Sequence, residues 1–278
     1  MTERSDELAH VPTGPVPSSR EGERLLDLVR VMARLRDPGG CPWDREQTHR
    51  SLARHLLEET HEVLEAIDAG DRDRLREELG DLLLQVAFHA QVAADEGAWD
   101  IDDVAEGIVR KLVRRHPHVF GEVEVSGAEE VLANWEAIKA EERGGPGALE
   151  EDIPETLPAL ARASKVLRRA AAQGLPWRDR EAALAALREE VEELDRAAPD
   201  RVEEEVGEVL LAAVAAARAL GVDAESALRR TLRTFAERYE RFTERARERG
   251  LDPARAPEAE LHRLFREASS DVGEAQGS

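Results

Sequence analysis

The sequence has a single cysteine and no long apolar run. Cys41 is the one cysteine among 278 residues, so no disulfide can form within the chain. No stretch approaches the roughly 18 apolar residues of a membrane-spanning helix, and the polar N-terminal segment lacks the apolar core of a signal peptide. These features predict a cytoplasmic protein with no membrane partner.

Basic and aromatic residues are also scarce. The chain has 39 Lys and Arg against 60 Asp and Glu, a net charge of -21, and this balance argues against a nucleic-acid partner. Aromatic residues make up 4% of the chain, and Ala, Leu, Arg and Glu dominate, a mixture that favours helices over strands. The sequence carries no P-loop, so a Walker-type nucleoside triphosphatase is not expected. The composition predicts an all-α fold.

The same pattern of segments occurs twice along the chain. Leu175-Pro176-Trp177 repeats Cys41-Pro42-Trp43, and a Glu-rich stretch followed by Glu-x-Gly-acid comes after each. This repetition predicts two related helical modules joined by a Gly- and Pro-rich linker. The predicted divisions are a disordered arm over 1–22, module 1 over 23–145, a linker over 146–160, module 2 over 161–267 and a disordered tail over 268–278.

Two pairs of acidic residues could build a metal site in the first module. Glu59 and Glu62, and then Glu78 and Asp81, are each spaced i, i+3, so both members of a pair leave the same side of a helix. A turn at Gly70 makes the two helices antiparallel neighbours, which can bring the pairs face to face. Carboxylate oxygens are hard ligands that suit Mg²⁺ or Mn²⁺.

The acidic pattern has an alternative interpretation as a solvated surface, because 60 of the 278 residues are acidic. Helical periodicity adds weight to the metal interpretation, since Glu59 and Glu78 fall beside predicted core faces. The core face predicted for the first helix carries Leu52, Leu56, Val63 and Ile67. The core face predicted for the second carries Leu75, Leu79, Leu82, Val86 and Ala90. A buried carboxylate needs a cation, and either a metal or Arg and Lys side chains would serve.

Other residues could hold a phosphate or a base. Lys111, Arg114 and Arg115 offer cations on adjacent faces near a helix C-terminus, where basic residues are also favoured by the helix dipole. Trp43 and Trp135 could stack on a base or pack in a core. From the residues alone both interpretations stay open.

Four ungapped runs resemble the MazG nucleotide pyrophosphohydrolase family: Gly40–Asp44, Leu57–Val63, Glu77–Leu83 and Arg114–Phe120. The resemblance covers most of residues 23–143. It implies an all-α fold, a tight homodimer and dependence on a divalent metal. It also implies hydrolysis of ribo- and deoxyribonucleoside triphosphates to the monophosphate and pyrophosphate, in the house-cleaning of nucleotide pools.

The resemblance assigns roles to individual residues. The implied metal ligands are Glu59, Glu62, Glu78 and Asp81. Glu58 matches the extra glutamate of the motif and is a candidate catalytic base. Lys111 and Arg115 match basic residues that act on the phosphates, and Arg114 and Trp43 are further candidates for substrate binding. Mg²⁺ is the expected cofactor, with Mn²⁺ as the alternative.

The sequence departs from the family pattern in both modules. Arg110 stands where family members usually carry an acid before the lysine. In the second module, Leu232 and Thr234 replace the asparagine and lysine of the last helix, which removes a phosphate contact. The matching acids there are Glu190, Glu193, Glu205 and Glu208. We therefore expect the first module to carry the activity.

Two other functions compete with this hypothesis. A di-iron carboxylate bundle needs Glu-x-x-His on two helices, and only Glu58-x-x-His61 supplies it here. A non-catalytic helical dimer with a regulatory role is the stronger alternative, because of Arg110 and the altered second module.

Overall fold

The computed structural model describes residues 22–142, 148–175, 177 and 179–275, and throughout these ranges the regular secondary structure is α-helical. The all-α prediction is confirmed. The first seven helices are α1 (Glu23–Arg36), α2 (Pro42–Glu46), α3 (His49–Ala69), α4 (Arg72–Asp95), α5 (Ile101–Arg115), α6 (Pro117–Phe120) and α7 (Ala128–Glu142). The remaining five are α8 (Ala159–Ala172), α9 (Arg180–Arg196), α10 (Val202–Ala219), α11 (Ala224–Glu248) and α12 (Glu258–Ala275).

The chain divides into two compact units, Met1–Gly145 and Pro146–Ser278. Of the arm predicted over 1–22, residues 1–21 lie outside the described residues. Helix α8 begins inside the segment predicted as a linker. None of the helices within the described ranges has the length and apolarity needed to cross a membrane.

A tight turn between α3 and α4 sets the geometry of the first unit. The Thr48 side chain accepts a hydrogen bond from the Ser51 N–H at the start of α3, and Gly70 ends this helix in the left-handed region with φ +69°. Asp71 then accepts hydrogen bonds from the N–H groups of Asp73 and Arg74, which starts α4 immediately. Helices α3 and α4 therefore form an antiparallel hairpin, as the sequence predicted.

The core of the first unit differs from the predicted core faces. Its buried cluster joins α1, α3 and α4 through Met32, Leu52, Ala87, Phe88 and Val92. Of the predicted core residues, Leu52, Val63 and Ala90 are buried, whereas Leu56, Ile67, Leu79 and Val86 are exposed. Periodicity identified the apolar sides of the helices, but α4 has apolar residues on two sides and packs the Phe88 side against α1. The other side remains uncovered.

The second unit has two buried clusters. Leu167 of α8 packs with Val214 and Ala215 of α10. Between α11 and α12 the buried residues are Phe242, Ala246, Leu264 and Ala268. The sequence predicted a disordered tail from residue 268, and the structure corrects this, because Ala268 is fully buried and α12 continues to Ala275. The last three residues of that predicted tail lie outside the described residues.

Candidate metal centre

Three carboxylates meet on the α3–α4 hairpin. Glu59 of α3 and Glu78 and Asp81 of α4 each place a carboxylate oxygen within 4.8 Å of the others. Glu59 and Glu78 are partly buried and Asp81 is exposed, so the cluster opens on solvent at one side. The hairpin thus unites three of the four residues predicted as metal ligands.

Glu62, the fourth predicted ligand, lies beside this group without joining it. Its side chain is exposed and lies near Glu78. The negative charge of Glu78 raises the pKa of Glu62 above its ordinary value. Two neighbouring carboxylates repel each other, and a cation would relieve that repulsion.

Crowded negative charge also affects Glu59. Burial raises its pKa above the ordinary value, and the neighbouring charges of Asp81 and Glu78 raise it further. The three carboxylates therefore repel one another where their oxygens converge. A divalent cation would remove this repulsion.

An arginine that the sequence interpretation missed holds Glu78, one of the predicted ligands. Arg74 Nε donates to Glu78 Oε1 at 3.0 Å, and its Nη2 donates to Glu65 Oε2 at 3.1 Å. The Glu78 side chain is only 13% exposed, so this ion pair fixes the direction of its carboxylate. The signal was present in the sequence, since Arg74 stands one helical turn before Glu78.

Glu58, the candidate base, is not among the three residues whose oxygens converge. Its Oε2 lies 3.1 Å from Nδ1 of His55, one turn earlier on the same helix. The Glu58 side chain is largely exposed. The structure therefore pairs Glu58 with an imidazole that could exchange a proton with it.

The second unit contains a matching acidic group. Glu190 and Glu193 of α9 and Glu205 of α10 bring carboxylate oxygens within 4.8 Å of one another. Burial raises the pKa of Glu190, and the charges of Glu193, Glu208 and Glu205 add to the effect. Glu205 is buried and accepts a hydrogen bond from Arg201 Nη2 at 2.8 Å, as Glu78 does from Arg74.

The predicted phosphate-binding cations contact a carboxylate of their own chain. Arg114 Nε donates to Glu142 Oε1 at 2.7 Å, and Arg115 donates through Nε and Nη2 to the same carboxylate. The guanidinium groups hold the pKa of Glu142 at about 2. Lys111 is exposed, and Arg110 forms an ion pair with Glu106 on the same helix.

Trp43 lies on the short helix α2, at the edge of the core. Its ring meets Phe88 edge to face with centroids 6.3 Å apart, and meets His55 at 6.1 Å. Half of the residue remains exposed. The structure therefore shows Trp43 in a packing role, with an accessible ring face.

Known proteins resemble this chain over most of its length. A family model described as a MazG nucleotide pyrophosphohydrolase domain matches residues 47–120. A Thermotoga maritima protein named nucleoside triphosphate pyrophosphohydrolase/pyrophosphatase MazG is 42% identical over 244 residues, covering 87% of this chain and 94% of that protein. An Escherichia coli K12 protein named nucleoside triphosphate pyrophosphohydrolase is 45% identical over 234 residues, covering 81% and 89%. A Mycobacterium tuberculosis protein of the same name is 51% identical over 162 residues, covering 58% and 49%.

Proposed function

The chain belongs to the MazG nucleotide pyrophosphohydrolase family, and from that premise we propose that it hydrolyses nucleoside triphosphates to the monophosphate and pyrophosphate. The observation that carries the proposal is the convergence of Glu59, Glu78 and Asp81 on the α3–α4 hairpin. Ribo- and deoxyribonucleotides are both proposed substrates, and clearing unwanted nucleotides from the pool is the proposed role.

The residues present fit a divalent cation. Three carboxylate oxygens within 4.8 Å of one another form a hard donor set, and burial, together with the charges of Asp81 and Glu78, raises the pKa of Glu59. We assign Mg²⁺, with Mn²⁺ as the alternative, to Glu59, Glu78 and Asp81. Glu62 is the proposed fourth ligand, because it lies near Glu78. When bound, the ion would lower the pKa of a water molecule and shield the charge on the phosphates.

The remaining steps rest on side chains of this chain. Arg74 holds Glu78 in one orientation, so the cluster is arranged before the substrate arrives. The pair of Glu58 and His55 is the proposed acceptor of the proton from the attacking water. Arg114 and Arg115 are proposed to bind phosphate oxygens in place of the Glu142 carboxylate, because both anions accept the same charge-assisted hydrogen bonds.

We also propose that the chain acts as a homodimer. The α3–α4 hairpin exposes large apolar side chains: Leu56, Leu57, Ile67, Leu79, Leu83 and Val86. An apolar surface of this kind on adjacent helices is expected to be covered by another protein surface. A second copy of the hairpin would supply a matching apolar face.

The test is pyrophosphate release from dGTP, dUTP and ATP by the purified full-length chain with Mg²⁺. We expect monophosphate and pyrophosphate in equal amounts, no product in EDTA, and recovery when Mg²⁺ or Mn²⁺ is returned. Glu59→Gln should reduce the rate by about a hundredfold or more, since it removes one ligand charge. Absence of product with every nucleotide would contradict the proposal and favour the regulatory dimer.

A further inference from the structure

The second unit contains a cavity of about 370 Å³ between α8 and α10, apart from its acidic residues. Its lining combines apolar side chains, one indole ring and one guanidinium group. The lining residues are Leu167, Ala171, Ala172, Leu175, Trp177, Ala215, Arg218 and Ala219. A volume of this size lies in the range of sites for small organic ligands.

The cavity exists because two side chains of α10 are small. When α4 and α10 are matched on Glu78-Leu79-Gly80-Asp81 and Glu205-Val206-Gly207-Glu208, Ala215 takes the place of Phe88 and Ala219 that of Val92. In the first unit Phe88 and Val92 are buried and Phe88 meets the ring of Trp43. In the second unit the corresponding space, facing Trp177, is open.

The apolar side chains that line the cavity lack the contacts that a larger side chain at Ala215 would supply. Leu167 and Ala215 are nonetheless buried in the core beside it, and Leu175 and Trp177 pack against that core. These residues form the walls of a space that no side chain of the described residues fills. A ligand with a flat apolar body would restore the missing contacts.

The positive charge at the cavity indicates that the other end of such a ligand is anionic. Arg218 is partly buried, and its Nη1 donates to the neutral carbonyl oxygen of Ser164 at 3.1 Å. Burial lowers the pKa of Arg218, and the positive charge of Arg168 lowers it further. The partly buried guanidinium of Arg218 can hold an anion through charge-assisted hydrogen bonds.

We propose that this cavity binds a planar aromatic anion. The aromatic ring would lie between Trp177 and Ala215, and the anionic group would contact Arg218. Both carboxylates and phosphates satisfy this chemistry, so aromatic carboxylates and nucleoside monophosphates are the two possible sources. The matching acids on α10 are Glu205 and Glu208, and Ala215 lies seven residues beyond Glu208, about 10 Å at the rise of an α-helix. None of the residues that line the cavity belongs to the acidic group.

The experiment measures binding to the full-length protein by calorimetry in EDTA, so that no metal takes part. The probes are 2-naphthoate and dAMP, each compared with its uncharged counterpart, 2-naphthalenemethanol and 2′-deoxyadenosine. We expect saturable binding of at least one anion to one site per chain. Its uncharged counterpart should bind at least about tenfold more weakly. The anion that binds identifies the source.

Variants connect the binding to the cavity. Ala215→Phe fills the space as Phe88 does in the first unit and should weaken the anion at least tenfold, as should Arg218→Gln. Arg188→Gln, an exposed arginine on α9, is the matched control and should bind as the wild type does. If Ala215→Phe does not fold, judged by circular dichroism, Ala219→Val serves instead, because it copies Val92.

Three results would overturn the proposal. The first is that neither anion binds, or that charged and uncharged probes bind equally. The second is full binding by a folded cavity-filling variant. The third is binding that requires Mg²⁺ or is lost equally in Arg188→Gln, since either would place the probe outside this cavity.

Discussion

At the scale of single residues, side-chain conformation determines which carboxylates meet in the candidate metal centre. Helical spacing placed Glu59, Glu62, Glu78 and Asp81 on facing sides of two helices, and this could be predicted from sequence. The structure brings three of them together and leaves Glu62 beside Glu78. Spacing determines where a Cβ points, but rotamers determine where a carboxylate oxygen ends, and these depend on partners such as Arg74 that lie outside the motif.

Arg74 is predicted to be a positioning residue for the proposed reaction. Arg74→Gln removes both of its ion pairs and lets the Glu78 carboxylate turn, so we expect pyrophosphate release to fall about 10- to 100-fold. The affinity for Mn²⁺, measured by the paramagnetic resonance of the free ion, should fall with it. Arg76→Gln is the control, because Arg76 pairs with the exposed Asp73. Unchanged Mn²⁺ affinity in Arg74→Gln would contradict the positioning role.

At the scale of helices, the sequence predicted which helices form but not which of their sides pack together. The hairpin of α3 and α4 follows from helical periodicity and the Gly70–Asp71 turn, both visible in the sequence. Which apolar side of α4 meets α1 could not be deduced, because Leu79 and Val86 form as plausible a stripe as Phe88 and Val92. That choice depends on the shape of the neighbouring helix.

The contact between α5 and α7 gives a prediction about pH. Arg114 and Arg115 hold the pKa of Glu142 at about 2, below its ordinary 4.5. A lowered pKa stabilises the fold above pH 4.5, and this contribution disappears as the pH falls from 4.5 towards 2. Glu142→Gln should therefore lower the free energy of unfolding by about 1 kcal/mol at pH 7 and by less at each step from pH 4.5 to 3.

Urea unfolding of both proteins across this pH range measures the difference. Glu141→Gln, a change of the exposed neighbour on α7, provides the control for loss of one negative charge. A deficit that stays constant with pH would show that the Glu142 ion pairs contribute nothing. If Glu142 also competes with phosphate for the two arginines, the same variant should lower the KM for nucleotide.

At the scale of the whole molecule, the uncovered side of the hairpin bears on assembly. Leu83 is 41% exposed on α4, among the apolar residues that we assign to a homodimer contact. Leu83→Glu would bury a charge in that contact, so we expect it to convert a dimer to a monomer in light scattering after gel filtration. Val119→Glu, an equally drastic change on α6, should leave the dimer intact. A wild-type monomer at micromolar concentration would contradict the proposed dimer.

The presence of an acidic group in each unit raises the question of which unit performs the reaction. Carboxylates alone do not decide it, because Glu205 is as well held by Arg201 as Glu78 is by Arg74. The cations differ, since the second unit has Leu232 and Thr234 in place of the asparagine and lysine that the family resemblance leads us to expect there. Without a phosphate contact, a bound cation would lack a correctly placed substrate.

Two substitutions, Glu62→Ala and Glu193→Ala, test which unit performs the reaction. Both side chains are exposed, so neither change should disturb folding. Glu193→Ala removes one acid of the second unit's group, and Glu62→Ala removes the proposed fourth ligand of the first. We expect Glu62→Ala to reduce pyrophosphate release about 10- to 100-fold and Glu193→Ala to leave it within about twofold. The reverse result would assign the reaction to the second unit. It would also mean that residues other than Leu232 and Thr234 hold the phosphates there, because four acids repel a triphosphate unless cations accompany them.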